Sequence, residues 1–239
     1  MSLGALVLTY NEEDMIESCL ESIKWVDEIV IVDSFSDDST ISICRKYTDK
    51  IFQKEMNNFS SQRNFGINKI TAEWILIVDA DERIPKELKQ EISTVISSDP
   101  EKKVFKFPRK NFFMGKWMKH CGWYPDYTVR LFYNISEHRY SGQVHETLSF
   151  KGEAGKLKTP LIHKTYKDIN DFVDKINYYT DLAKENSSCP NLFVLFIRPI
   201  LEFIKRYLFQ LGFLSGKEGL ILSMLLSYYS FLKYAKRCE

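Results

Sequence analysis

Trp74-Ile75-Leu76-Ile77-Val78-Asp79-Ala80-Asp81 decides the fold of this chain. Five consecutive apolar residues, followed at once by two carboxylates one residue apart, read as a buried strand with a hard-oxygen site at its carboxyl end. In an open α/β sheet that edge is where ligands bind. Mg²⁺ and Mn²⁺ favour carboxylate, water and phosphate oxygens, so the guest that suits such an edge is a metal-bound diphosphate. The structural alternative is that Asp81 with Glu82 caps a helix starting near Pro85.

The preceding residues repeat the pattern. Leu3 to Thr9 reads as a short buried strand, and Tyr10-Asn11-Glu12-Glu13 opens a helix with Ile16, Leu20 and Ile23 at near-helical spacing. Glu28 to Val32 is a second apolar strand ending in Asp33, and a polar loop from Ser34 to Thr40 leads into the next helix. A third strand near Lys50 to Phe52 precedes a helix that holds Arg63 and Asn64. Strands alternating with helices imply right-handed βαβ units and a parallel sheet. Thr9 and Asn11, Asp33, and Asp79 with Asp81 therefore meet at one sheet edge. Neither G-x-G-x-x-G nor G-x-x-x-x-G-K-[ST] occurs, so a nucleotide bound here is held by carboxylates and a metal and not by a glycine-rich cradle.

Four segments carry a resemblance to a known family: Val7-Leu8-Thr9-Tyr10-Asn11-Glu12, Val30 to Thr40, Gln62-Arg63-Asn64 and Val78-Asp79-Ala80-Asp81-Glu82. In this order and spacing they resemble the family 2 inverting glycosyltransferases of GT-A fold, most of all the lipopolysaccharide core β-1,4-glucosyltransferase subgroup. The resemblance implies a Rossmann-like, mostly parallel α/β sheet flanked by helices. It also implies a UDP-sugar donor with Mg²⁺ or Mn²⁺. Thr9, Asn11 and Glu12 would line the nucleotide pocket. Asp33 would receive hydrogen bonds from uracil or ribose, and Arg63 would lie near base or diphosphate, unless it is spent in a surface ion pair. Asp79 would contact ribose or metal, and Asp81 would be the principal metal ligand.

Residues 101 to 150 are aromatic-rich and lack clean periodicity apart from Val104 to Phe107 and Val129 to Phe132. Trp117, Trp123 and Tyr124 suit the apolar face and hydroxylated rim of a sugar acceptor, whereas Phe112 and Phe113 read as core. Inverting transfer needs a carboxylate to take the acceptor proton. Many family 2 enzymes place this base in a Glu-Asp pair with an Arg a few residues on; here Pro125-Asp126 and Arg130 stand in that position, with Pro replacing Glu. Asp126 in a turn after Pro125 is the structural alternative. Gln143-Val144-His145-Glu146 matches a Val-His-Glu stretch of the resembled subgroup, in which His145 would complete the metal site and Glu146 would orient it or act as base. His163 is a weaker reading as ligand or phosphate contact.

Beyond residue 166 the character turns helical, dividing the chain into a catalytic part, 1–166, and a C-terminal amphipathic extension, 167–239. Asp168 to Lys184 is amphipathic, and Leu192 to Leu214 and Gly219 to Ala235 are strongly apolar. From Arg198 onward there are seven basic residues against three acidic ones. The longest charge-free run there, Gly219 to Leu232, is fourteen residues, short of the roughly eighteen a spanning helix needs. Such helices suit a peripheral position at the membrane interface; packing on the catalytic part or in a homodimer is the alternative.

A net charge of +1 and no basic face before the tail give no reason to expect nucleic acid as a partner. Five cysteines without C-x-x-C spacing argue against a disulfide framework or structural zinc and fit a reducing cytosol. No signal peptide is legible at the N-terminus. The sequence thus predicts a metal-dependent inverting transferase at the cytoplasmic face of the inner membrane. By the resemblance alone, it would move a hexose, glucose in that subgroup, to a lipid-linked saccharide such as the heptose of a lipopolysaccharide or lipooligosaccharide core. A capsule or protein acceptor, a sugar nucleotidyltransferase and a non-catalytic membrane scaffold are the alternatives.

Overall fold

The structure, a computed structural model, describes residues 1–142, 146–166, 168–182 and 189–238. In chain order its elements are β1 (Leu3–Thr9), α1 (Ile16–Ile23), β2 (Glu28–Asp33), α2 (Thr40–Cys44), β3 (Ile51–Gln53), α3 (Phe59–Ile67), β4 (Trp74–Asp79), β5 (Glu82–Arg83) and α4 (Lys86–Ser97). They continue with β6 (Val104–Phe113), β7 (Lys116–Trp117), β8 (Asp126–Tyr133), β9 (Tyr140–Ser141), β10 (Thr147–Leu148), β11 (Gly155–Lys156) and β12 (Leu161–Tyr166). The helices α5 (Ile169–Leu182), α6 (Leu192–Ile204) and α7 (Gly216–Ala235) complete the chain. Two compact units result: Met1–Arg109 with Tyr127–His163, and Lys110–Asp126 with Lys164–Glu239.

The sheet runs β3-β2-β1-β4-β8-β6-β12-β5. Its first four strands are parallel, β8 is antiparallel to β4, and β5 is antiparallel to β12. The continuous apolar run of β4 follows from burial on both faces. Trp74, Leu76 and Val78 join one core cluster with Leu3, Ala5 and Val7 of β1 and with residues of α1 and α4. Ile75 and Ile77 point the other way, into a cluster with Leu6, Val30 and Val32. Helix α3 lies so close to that second face that a Cβ on Gly66 would stand 2.3 Å from Leu6 Cδ1, a contact only glycine permits.

In the second unit, Phe112 and Phe113 of β6 pair with Trp117 and Lys116 of β7. Phe113, Met118, Cys121, Phe172, Ile176 and Leu222 form its core, so Phe113 is a core residue as read from the sequence. Helix α6 folds back on α7, with Ser227 Oγ donating to the Pro199 carbonyl at 2.7 Å. This hairpin brings Cys189 and Cys238 into a disulfide, whereas Cys19, Cys44 and Cys121 are free and buried. The expectation that no cysteines pair is corrected here, because a separation of 49 residues leaves no local spacing to read.

Candidate functional site

The parallel register sets the site. Strand β1 lies between β2 and β4, with Thr9 opposite Asp33 and Leu8 opposite Asp79. Asp33 and Asp79 therefore end the two strands that flank β1, with the Asp33 side chain on the face of Thr9 and that of Asp79 on the face of Leu8. Asp33 is fully buried and accepts from the Ser36 N–H at 3.0 Å, the Ser36 hydroxyl and Gln53 Nε2 at 3.2 Å. Thr9 is also buried, and its Oγ1 has no hydrogen-bond partner among the described residues.

The loops above these strands are tied to each other. Asn11, in the left-handed region at φ 51°, donates its N–H to Ser36 Oγ at 2.9 Å and accepts the Asp37 N–H on Oδ1 at 3.0 Å. Left-handed backbone is a conformation asparagine tolerates better than most residues. The Glu12 N–H donates to Thr40 Oγ1 at 2.8 Å. Because these bonds join the β1–α1 loop to the β2–α2 loop, the sheet edge around Thr9 and Asp33 is preorganised.

Each residue of Gln62-Arg63-Asn64 on α3 reaches a different segment. Gln62 Nε2 donates to the carbonyls of Lys54 and Glu55 at 2.9 and 3.0 Å, closing the loop after β3. Asn64 exchanges a reciprocal pair with Tyr140, both bonds 2.8 Å, and so replaces a strand neighbour for β9. Arg63, 3% exposed, lies 5.4 Å from the Tyr140 ring centroid and ion-pairs with Asp79 at 3.1 Å and Glu146 at 3.0 Å. It is therefore in a buried ion pair, not a surface one.

Arg130 reaches the same centre from β8, bonding Asp79 Oδ2 and, at 2.6 Å, Glu82 Oε1. Glu82 has no exposed surface, and its other oxygen accepts the Asp79 N–H at 3.0 Å. The Asp79-Ala80-Asp81 turn is thus held from beneath by Glu82 and Arg130. It is also held from the side by Arg83, which donates to the Ala80 carbonyl at 2.8 Å and the Met15 carbonyl at 2.6 Å. Burial acts to raise the Asp79 pKa, but the guanidiniums of Arg130 and Arg63 outweigh it and hold this carboxyl well below the usual range. Burial likewise opposes the charge on Arg130, and Asp79 and Glu82 more than offset it, pushing that pKa well up. The alternative of a carboxylate cap on α4 gains no support: the N-cap position is Pro85, with no side-chain cap bond.

Asp81 stands at the end of this turn with its Oδ2 3.3 Å from His163 Nε2, a neighbour supplied by the β5–β12 pairing of Glu82 with His163. Among the described residues no group of three or more His, Cys, Asp or Glu converges as a cage. The Asp81 carboxylate is the oxygen ligand that Mg²⁺ or Mn²⁺ favours, with water and substrate phosphate oxygens completing the shell, and the imidazole beside it suits Mn²⁺ better than Mg²⁺. His145 lies outside the described residues.

Asp126, Trp117, Trp123 and Tyr124 belong to the second unit. Asp126 accepts a hydrogen bond from Asn111 Nδ2 at 3.2 Å, and the same amide donates to the Trp123 carbonyl at 3.0 Å. Trp117 packs edge-on against Tyr124 and carries Lys110 and Lys119 ammonium groups 4.4 and 4.5 Å from its ring centroid. Trp123 packs against Phe113 and Tyr166 beside the core of that unit. The sequence reading missed Glu82 and Tyr140 as members of the charged centre. Glu82 had one legible signal, its position next to Asp81, whereas Tyr140 had none.

A mixed, largely parallel sheet with an acidic turn after its fourth strand is a GT-A-like arrangement. The chain belongs to glycosyl transferase family 2, whose model matches residues 5–152, more than half its length. It is a glycosyltransferase of GT-A-like fold. A relative from Rhizobium meliloti (strain 1021), named lipopolysaccharide core biosynthesis glycosyltransferase LpsC, is 27% identical over 253 residues, covering 99% of this chain and 92% of that protein. An uncharacterized glycosyltransferase of Rickettsia felis (strain ATCC VR-1525 / URRWXCal2) is 28% identical over 254 residues, covering 99% and 89%. Among solved structures, S. aureus TarS 1-349 superposes with a TM-score of 0.51 at 16% identity, covering 99% of this chain and 89% of that one, a likeness of fold.

Proposed function

We propose that this glycosyltransferase moves a hexose from a UDP-sugar to a lipid-linked saccharide, with a divalent cation at the carboxyl edge of β4. The observation that carries this reading is the register that sets Asp33, Thr9 and the Asp79–Asp81 turn side by side. In it Asp33 accepts from the uracil or ribose, Thr9 Oγ1 offers a buried hydroxyl without a partner among the described residues, and the tied loop of Asn11 and Glu12 walls the nucleotide. Asp81 and His163 would hold the cation, and Asp79, committed on both oxygens to Arg63 and Arg130, fixes the turn that aims Asp81. Bound there, Mg²⁺ or Mn²⁺ supplies charge neutralisation for the departing diphosphate. The name of the Rhizobium meliloti relative supports a core saccharide acceptor, and glucose follows the subgroup resemblance.

Of the two carboxylates read as candidate bases, Glu146 is engaged by Arg63, a contact that orients the guanidinium. We therefore give the base to Asp126, which Asn111 holds in place and which shares its unit with Trp117, Trp123 and Tyr124, the residues read as acceptor contacts. Asp126 takes the proton of the acceptor hydroxyl as that oxygen attacks the anomeric carbon in line, inverting an α-linked donor to a β-linked product. Asp126→Asn is expected to lower turnover by about a hundredfold or more while sparing UDP affinity. Loss of that size from Glu146→Gln, with Asp126→Asn active, would transfer the assignment to Glu146.

A further inference from the structure

Helix α6 has no buried residue along its length, although it is built almost wholly of apolar side chains. Phe193, Phe196 and Ile200, three and four residues apart, form an outward stripe in which the two phenylalanines are 70% and 68% exposed. The π-helical turn that follows, Lys205–Phe209, ends on Phe209, 81% exposed, and the next turn, Gly212–Ser215, presents Phe213 and Leu214. Helix α7 shows a second stripe of Leu220, Met224, Tyr228 and Phe231, although its other side packs on α6 and the unit core. Soluble monomers rarely leave so much consecutive apolar surface uncovered.

The charges beside this surface identify what covers it. Between Asn191 and Lys217 stand four cations, Arg198, Lys205, Arg206 and Lys217, against the single carboxylate of Glu202, which Arg206 already binds at 2.6 Å. Arg198, Lys205 and Lys217 are themselves exposed. A second copy docking through the same patch about a two-fold axis would bring these like charges together. A leaflet rich in anionic headgroups would accept the aromatic side chains into its interface and the ammonium and guanidinium groups at its surface. Among the described residues no helix is long and apolar enough to cross a membrane, so contact is interfacial.

We propose that the α6 stripe and the turn ending in Phe209 form the docking face through which this chain lies on an anionic lipid surface. The inference rests on the reading of a lipid-linked acceptor and names the surface that meets that acceptor's membrane. The test is co-flotation of the full chain with phosphatidylglycerol/phosphatidylethanolamine vesicles and with neutral phosphatidylcholine vesicles. The triple variant Phe196→Ser, Ile200→Ser, Phe209→Ser and the charge variant Arg198→Glu, Lys217→Glu are floated in parallel, and UDP affinity and solution mass are measured on each. The wild type should float with anionic vesicles, less so as salt rises, and both variants should float about tenfold less with unaltered UDP affinity. Failure of the wild type to float, or equal flotation of the triple variant, overturns the docking face. A wild-type dimer that the triple variant converts to monomer overturns it in favour of a second copy. Absence of UDP binding in the wild type counts against the donor reading alone, because flotation is read independently of it.

Discussion

Replacing Arg130 by methionine removes the guanidinium that joins Asp79 to Glu82 but keeps an apolar side chain of similar reach. Arg130 is 4% exposed and Glu82 fully buried, so solvent cannot substitute for the lost partner. Glu82 would retain the Asp79 N–H on Oε2 and lose its charged partner on Oε1, while Asp79 would keep only Arg63. Breaking a buried ion pair from one side costs about 3–5 kcal/mol, because the remaining charge is uncompensated. For a chain of this size that corresponds to a fall in Tm on the order of 10 °C, measurable by circular dichroism or calorimetry at neutral pH. Adding Glu82→Gln removes the stranded charge, so the double variant should be more stable than the sum of the single changes by about 1–3 kcal/mol. An Arg130→Met variant within about 1 kcal/mol of wild type, or strict additivity in the cycle, would refute the view that this network holds the acidic turn.

The same network makes a pH prediction. Asp79 has a folded-state pKa below its unfolded value, so its contribution to stability is complete above an unfolded pKa of about 4 and is lost as pH falls from there towards the folded value. Wild-type Tm should therefore drop more steeply than that of Asp79→Asn as pH is lowered below about 4; parallel curves would contradict the assignment. Gly66→Ala should cost about 1–3 kcal/mol in urea denaturation, because the new methyl meets Leu6 at 2.3 Å on a packed helix–sheet face. No loss of stability would mean that α3 can withdraw from β1 without disturbing the core.

The strands were legible because their signal is local. Trp74 to Val78 is apolar throughout since alternate residues enter different core clusters, and Asp33 and Asp79 mark the strand ends by type alone. Partners distant in sequence were not legible. Arg63 meets Glu146 across 83 residues and Arg130 meets Asp79 across 51, pairings created only when α3 and β8 pack beside β4. Residues 110 to 126 showed no periodicity to assign them, and although β7 pairs with β6 of the sheet they belong to one compact unit with the C-terminal helices. The ring of Trp117, read as an acceptor contact, is attended by Lys110, Lys119 and Tyr124, neighbours that no local spacing announces. Aromatic type alone does not tell which ring faces remain available.

Calorimetric titration of UDP into wild type and Asp81→Ala, with Mn²⁺ and then with EDTA, tests the donor site most directly. The account predicts binding to wild type that requires the cation and is lost or weakened at least about tenfold in Asp81→Ala, whose melting temperature should stay close to wild type. UDP binding that is indifferent to both EDTA and Asp81, or no binding to the folded wild type under either condition, would contradict a metal-held diphosphate at the edge of β4.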